Sequence, residues 1–317
     1  MAQVYDEPAA TLPRKQQPAY NRSNSTRSSM PAFPAPLILP SPADLARQVR
    51  DALPLRAEVV WSAETGSTNA DVQARLRARD LPADVDLVLH GAHLQNAGRG
   101  RAGRVWQTRP GDALLMSAGF RQSLPLEALP GLSIAAGLAA CMALAAHVPA
   151  PDGLKLKWPN DLLWGDAKLA GVLVETALLG PGTAGYAEVG VVIGMGTNLR
   201  GADAMSAHLG RAVADWQQAG GTGDAAELVC AIAMAWHRAV QRFAMDGLAG
   251  FLDDFSRHDA LLGRPVRVVD GERLLFEGTA AGLDPSGRLR VRTPDGERLV
   301  TVGDVSVRAQ GQAETPR

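Results

Sequence analysis

The 317 residues carry 32 Lys and Arg against 33 Asp and Glu, and a net charge of -1 excludes a general attraction to nucleic acid or anionic membrane. The two cysteines, Cys141 and Cys230, lie in helix-like apolar stretches, which excludes a disulfide framework and a cysteine metal site and fits a reducing cytoplasm. The length suits one large domain and a small one.

In chain order, residues 1–40 are rich in Pro, Ser, Gln and Arg, with too few large apolar side chains to offset the entropy of ordering; a disordered tail is expected. Ser41-Pro42-Ala43-Asp44 then supplies an N-cap serine, a first-turn proline and an acid, so a helix runs to about Leu53-Pro54. A strand is expected at 58–62, a helix over 70–79 opened by Gly66-Ser67-Thr68-Asn69, and a strand at 85–90. Residues 91–110 keep no period. A strand at 113–120 precedes a long Ala-rich helix to about 147, whose apolar run is interrupted by Ser133 and His147 without basic flanks, so it reads as buried rather than membrane-spanning. Strands follow at 154–158, 162–164, 169–178 and 186–196. Residues 201–221 are polar and Gly-rich, expected to form a mobile connection. Helical spacing returns at Leu228, Ile232, Trp236, Val240 and Phe243, with a shorter helix around Phe251 and Phe255. Beyond 263, short strands punctuated by Asp270-Gly271, Ser286-Gly287 and Asp295-Gly296 predict a small all-β, barrel-like module.

The densest chemistry is Gly98-Arg99-Gly100-Arg101-Ala102-Gly103-Arg104-Val105-Trp106. Glycines let backbone approach a ligand, and guanidinium forks match carboxylate and phosphate oxygens. The letters fit a dinucleotide fingerprint, but no helix follows and two arginines intervene, so that reading is rejected. A solvated basic loop touching RNA lacks the expected stacking aromatics, since only Trp106 is adjacent. On spacing alone Lys157-Trp158-Pro159-Asn160-Asp161 reads first as turn chemistry, and second as a phosphate partner with a candidate Mg²⁺ ligand. Lys168 opens an apolar strand in which Gly171 marks close approach. Ser67-Thr68-Asn69 is either an ordinary N-cap or a set of donors and acceptors for a polar, uncharged group. The six histidines are scattered without metal-ligand spacing.

Taken in order, Ser67-Thr68-Asn69, the stretch from Gln95-Asn96-Ala97 through the arginine loop, Lys157-Trp158-Pro159-Asn160-Asp161, Lys168-Leu169-Ala170-Gly171-Val172-Leu173-Val174-Glu175 and Gly194-Met195-Gly196-Thr197-Asn198 resemble the biotin–protein ligases over roughly residues 58–308. The resemblance implies an α+β fold, a mixed sheet with helices on one side as in class II synthetase-like ligases, over 41–260, and an SH3-like C-terminal domain over 261–310. It implies formation of biotinyl-5′-adenylate from biotin and MgATP, then transfer to a lysine of a biotin carboxyl carrier protein. Ser67, Thr68 and Gln95 would bond the ureido ring. Arg99 and Arg101 would order the loop over the biotin carboxylate and phosphates, with Gly171 alongside. Arg104, Lys157 and Lys168 would face phosphates, with Lys168, Arg101 and Arg104 the catalytic cations. Trp106 would pack near adenine, Asn198 would meet the adenylate, and Asp161 is the candidate for Mg²⁺ or arginine support.

His93 and Asn96 depart from the family pattern. Some members carry an N-terminal DNA-binding domain; with about 57 residues before the catalytic part, none is expected here, and neither DNA nor membrane is an expected partner. A monomer and a sheet-edge homodimer both suit the sequence. The readings set against a biotin ligase are a lipoate or octanoate ligase or transferase and a non-enzymatic phosphate or nucleic-acid binder. The loop is expected to act as a lid that orders on ligand.

Overall fold

Seven strands form the central sheet in the order β1-β2-β3-β7-β6-β5-β4: β1 (Ala57–Ser62), β2 (Leu87–Ala92), β3 (Ala113–Leu124), β4 (Leu154–Lys157), β5 (Asp161–Trp164), β6 (Ala167–Pro181) and β7 (Ala187–Asn198). β1 and β2 pair in parallel and every other neighbour is antiparallel, which makes the sheet mixed. The structure, a computed structural model, describes residues 35–309 except 79, 126–128, 182–185, 272 and 302–304. Most of the expected tail, residues 1–34, lies outside the described residues. Leu37 and Leu39 already pack against the core, ahead of the expected boundary at 40.

Side chains alternate across a strand, so the two faces of this sheet have separate cores. On one face, Leu114, Met116, Ala118 and Phe120 of β3 and Val189, Val191, Ile193 and Met195 of β7 pack with α1 (Pro42–Ala52), α3 (Leu129–Ala145) and α5 (Ala225–Asp246). The spacing seen in the sequence is the buried stripe of α5, with Leu228, Ile232, Trp236, Val240 and Phe243 all at most 2% exposed. Asp224 and Glu227 close a reciprocal capping box at its start, and Trp236 donates to the Ala136 carbonyl at 3.1 Å, tying α5 to α3. No helix among the described residues is long and apolar enough to cross a membrane.

The opposite face carries α2 (Thr68–Arg77), whose Val72 and Leu76 pack with Leu81, Val88 and Val192. Helices on one side only is therefore a correction. The physical reason is Gly119: a Cβ there would stand 2.4 Å from Val72 Cγ1, so a glycine makes the room that α2 occupies. α2 also starts two residues before the expected position, with Thr68 and Asn69 inside its first turn.

Residues 201–221 are not a bare connection. They hold α4 (Ala202–Leu209), bounded by Gly201 and Gly210 in the left-handed region, and a buried segment with Ala214 and Trp216. Asp215 organises it, accepting from the Ala202 N–H at 2.9 Å and the Gln218 N–H at 2.8 Å. After α6 (Leu252–His258), β8 (Pro265–Asp270), β9 (Arg273–Leu283), β10 (Leu289–Thr293), β11 (Gly296–Val300) and β12 (Val305–Ala309) form a five-stranded antiparallel sheet in the order β11-β10-β9-β8-β12. β12 was not anticipated. The small sheet is pinned to the large domain where Trp158 donates to the Gly287 carbonyl at 3.0 Å.

Candidate active site

The site lies on the α2 face of the sheet, where the outward positions of β7 and its neighbours are small: Ser117 pairs with Gly194, and Gly171 pairs with Gly196. α2 presents its N-terminus to one end of this shelf, and the arginine loop covers the other.

The loop folds back on itself. The Gly100 N–H donates to the Arg104 carbonyl at 2.7 Å and the Trp106 N–H to the Gly98 carbonyl at 2.9 Å, with a single helical turn at Arg101–Gly103 between them. This seats the Trp106 indole flat against β7 and β6. A Cβ at Gly196 would stand 2.6 Å from the indole ring, and one at Gly171 would meet both Trp106 and the Lys168 ammonium, at 3.4 and 3.1 Å. Those two glycines are the reason an aromatic ring and a lysine fit here. Trp106 Nε1 is buried with no hydrogen-bond partner, a donor facing the shelf.

Lys168 is the centre of the charged half. Its Nζ is 2.5 Å from Asp161 Oδ1 and 5.5 Å from the Trp106 ring centroid, inside cation–π range. Burial pushes the Asp161 carboxyl up, but the charge and hydrogen bond of Lys168, with Lys157 and Arg211 beyond, outweigh it and hold the pKa below its ordinary value. Arg101 enters the same cluster, donating to Asn160 Oδ1 at 3.3 Å. Burial lowers its pKa, opposed by the charge of Asp161 and reinforced by Arg104. Asn160 is itself held by a bond from its amide to the Val172 carbonyl at 2.6 Å. Arg99 and Arg104 project from the loop as exposed side chains, and Lys157 is half-buried at the end of β4.

The uncharged half is built at the start of α2. Gln95 Oε1 accepts from the Thr68 N–H at 2.8 Å, and the Thr68 hydroxyl lies 2.7 Å from the Ser117 hydroxyl. Ser67 occupies the N-cap position but makes no side-chain cap bond, which departs from the ordinary N-cap reading and leaves its hydroxyl for other partners. The preceding loop is braced by Ser62, 3.0 Å from His90 Nε2, and by Thr65 donating to Asp71 at 2.6 Å. Burial lowers the His90 pKa, with nearby Asp71 opposing.

Two expected ligand residues also brace their neighbours. The Asn198 amide donates to the Lys168 and Ala214 carbonyls, at 3.3 and 3.1 Å, and so fixes the backbone that carries Lys168. Asp161 is the counter-ion of Lys168, and among the described residues no group of three or more His, Cys, Asp or Glu stands together to hold a metal. Of the family departures, Asn96 donates to Glu64, and His93 Nε2 is buried without a partner. Sequence reasoning assigned no role to Ser117, Glu175 or the Gly194 and Gly196 positions. Glycines at 190, 194 and 196, all on one face of β7, were the available signal.

A shelf with fixed cations at one end and neutral hydrogen-bonding groups at the other suits a molecule with a polar uncharged head and an anionic reacting end. Residues 75–198 match the model of the biotin/lipoate A/B protein ligase family, and residues 261–308 match that of the biotin protein ligase C-terminal domain. The biotin–[acetyl-CoA-carboxylase] ligase of Mycobacterium tuberculosis is 34% identical over 252 residues, covering 77% of this chain and 86% of that protein; that of Paracoccus denitrificans is 32% identical, covering 77% and 98%. The bifunctional ligase/repressor BirA of Escherichia coli is 32% identical over 69% of this chain, and the match spans 65% of the repressor's own length. The biotin protein ligase of Aquifex aeolicus, solved with biotin and ATP, shares the fold at a TM-score of 0.62 and 24% identity, covering 79% of this chain and 98% of that one. The chain belongs to the biotin protein ligase family.

Proposed function

We propose that the protein is an ATP-dependent biotin–protein ligase. The observation that carries this reading is the Lys168–Asp161 pair under Trp106, set on the same glycine shelf as the Gln95–Thr68–Ser117 cluster. Its relatives' names and the biotin and ATP of the Aquifex aeolicus complex support the same conclusion.

In the first step a biotin carboxylate oxygen attacks the α-phosphorus of ATP; an O–P bond forms, the bond to the β-phosphate oxygen breaks, and pyrophosphate leaves. Like charges must be brought together, and cations fixed before the reaction are the strongest lever a protein has against that repulsion. Lys168 and Arg101, already oriented by Asp161 and Asn160, are that lever, with Arg104, Lys157 and Arg99 on the phosphate side. Mg²⁺ enters with ATP as part of the substrate and neutralises phosphate charge. Trp106 offers an aromatic surface for adenine, and the loop shields the mixed anhydride from water. In the second step a neutral lysine amine of a carrier protein attacks the acyl carbon; the C–N bond forms, AMP departs with the C–O electrons, and the amine loses its proton.

Biotin carboxyl carrier protein in the cytoplasm is the proposed acceptor. Because the family model also covers lipoate ligases, transfer of radiolabelled biotin and of radiolabelled lipoate to a biotin-accepting carrier domain tests the reading. Biotin transfer with lipoate transfer at background is expected; lipoate preference contradicts it.

A further inference from the structure

The segment after α4 brings a cation to the charged half of the shelf from outside every motif. Gly210 ends α4 in the left-handed region, at a φ of 60°, and turns the chain back toward β6. The Lys168 N–H donates to the Ala212 carbonyl at 3.2 Å, and the Ala214 N–H to the Lys168 carbonyl at 2.9 Å, so residues 212–214 run parallel beside Lys168. Ser206 of α4 clamps the same stretch, accepting from the Val213 N–H at 3.0 Å and donating to the Val213 carbonyl at 3.3 Å. The Asn198 amide holds the Ala214 carbonyl at 3.1 Å. Arg211 lies between the turn and the clamp, so its backbone is fixed on both sides.

Its side chain is exposed, yet its charge reaches the Asp161 carboxylate. That carboxylate is already paired with Lys168 at 2.5 Å, and the charges of Lys157 and Arg101 reach it too. Asp166, the other acid that Lys157 faces, is closed by Arg264, and Arg104 adjoins Arg101. Two carboxylates thus stand among six cations, a local surplus that attracts a polyanion. Arg200, just before α4, is closed by Asp112 at 2.6 Å, whereas among the described residues no carboxylate lies within ion-pair distance of Arg211. The cluster also has a direction. The Lys168 side chain is 18% exposed at its inner end, and Arg211 stands at its solvent rim. A triphosphate whose α-phosphorus meets Lys168 runs its outer phosphates toward that rim, because the leaving pyrophosphate must exit to solvent.

We infer that Arg211 binds the β- and γ-phosphates of ATP and holds the pyrophosphate as it leaves. This rests on the ligase reading above and adds to it a residue that acts in the first step alone. A guanidinium fork matches two phosphate oxygens at once. As the bond from the α-phosphorus breaks, negative charge grows on the β-phosphate, where a cation fixed beforehand stabilises the transition state more than the ground state. The second step contains no pyrophosphate, so Arg211 has nothing to hold there.

Arg211→Ala therefore divides the two half-reactions. The experiment follows exchange of labelled pyrophosphate into ATP at varied pyrophosphate and ATP, and separately the transfer from purified biotinyl-5′-adenylate to a biotin-accepting carrier domain, both on the full chain. In Arg211→Ala the KM values for pyrophosphate and ATP should rise at least about tenfold, the scale of a lost charge-assisted bond. The transfer rate from the purified adenylate and the biotin dissociation constant by calorimetry should stay within about twofold of wild type. Arg211→Lys, which keeps the charge without the fork, should return the pyrophosphate KM to within about threefold. An unchanged pyrophosphate KM in Arg211→Ala overturns the inference, and so does an equal loss in both half-reactions, the mark of a structural role. Wild type that shows no biotin-dependent exchange overturns the ligase reading, and the inference with it.

Discussion

The two faces of β7 are built from alternate residues of one strand and do opposite things. Val189, Val191, Ile193 and Met195 fill the space under α3 and α5, while on the other face Gly190, Gly194 and Gly196 leave space above and Val192 packs beneath α2. The first set makes stability by removing apolar surface from water; the second makes a site by letting Asn69 and Trp106 lie on bare backbone. Stability and function are thereby separable one residue at a time along the same strand.

That separation is open to direct attack. Ile193→Ala, at a fully buried core position, should lose about 2–5 kcal/mol in urea unfolding, with the biotin KM of the folded enzyme unchanged. Lys168→Ala should lower adenylate formation at least about a hundredfold, the scale of one lost electrostatic contact, in a protein that still folds but with a lowered unfolding midpoint because Asp161 loses its counter-ion. Near-normal turnover would remove Lys168 from the mechanism. Gly196→Ala places a methyl 2.6 Å from the Trp106 indole, so the ring must leave the shelf. Its ATP KM should rise roughly tenfold while stability moves little, the reverse of the Ile193 pattern three residues away on the other face.

The smallest effect is expected remote from both faces. Asp259, between α6 and the small sheet, is pushed up to about 6 by burial, against the opposing bonds from the Leu261 and Leu262 N–H groups, and its Oδ2 is buried without a partner. A carboxyl whose folded pKa exceeds its ordinary value stabilises the fold when protonated, and that contribution fades as pH rises through 6. Lowering pH from 7.5 to 5 should therefore favour wild type over Asp259→Asn by on the order of 1 kcal/mol in denaturant titrations. Parallel pH profiles would contradict the assignment.

Most of the fold was legible because its signals are local. Ser41 and Pro42 start α1, the stripe from Leu228 to Phe243 writes out α5, and the Asp-Gly turns mark the small sheet. Residues 201–221 were misread because their order comes from Asp215 reaching back to Ala202 and forward to Gln218, a tertiary device with no period. The placement of α2 on the far face depended on Gly119, whose meaning appears only when Val72 stands opposite it. In the site, the residues with charge or a motif were visible, and so were Lys168, Arg101 and Trp106. Their supports were not: the bond of Asn198 to the Lys168 backbone, the Ser117 hydroxyl and the Asn69–Glu175 contact join elements far apart in the chain.

In the proposed reaction the two ends of the glycine shelf bind one molecule and activate its carboxylate on ATP. Exchange of labelled pyrophosphate into ATP measures that step alone, before any carrier protein is involved. Exchange that requires biotin in the wild-type chain, and that falls at least about a hundredfold in Lys168→Ala, is the predicted result. Exchange that proceeds equally without biotin, or none at all with biotin, ATP and Mg²⁺ supplied, would contradict it.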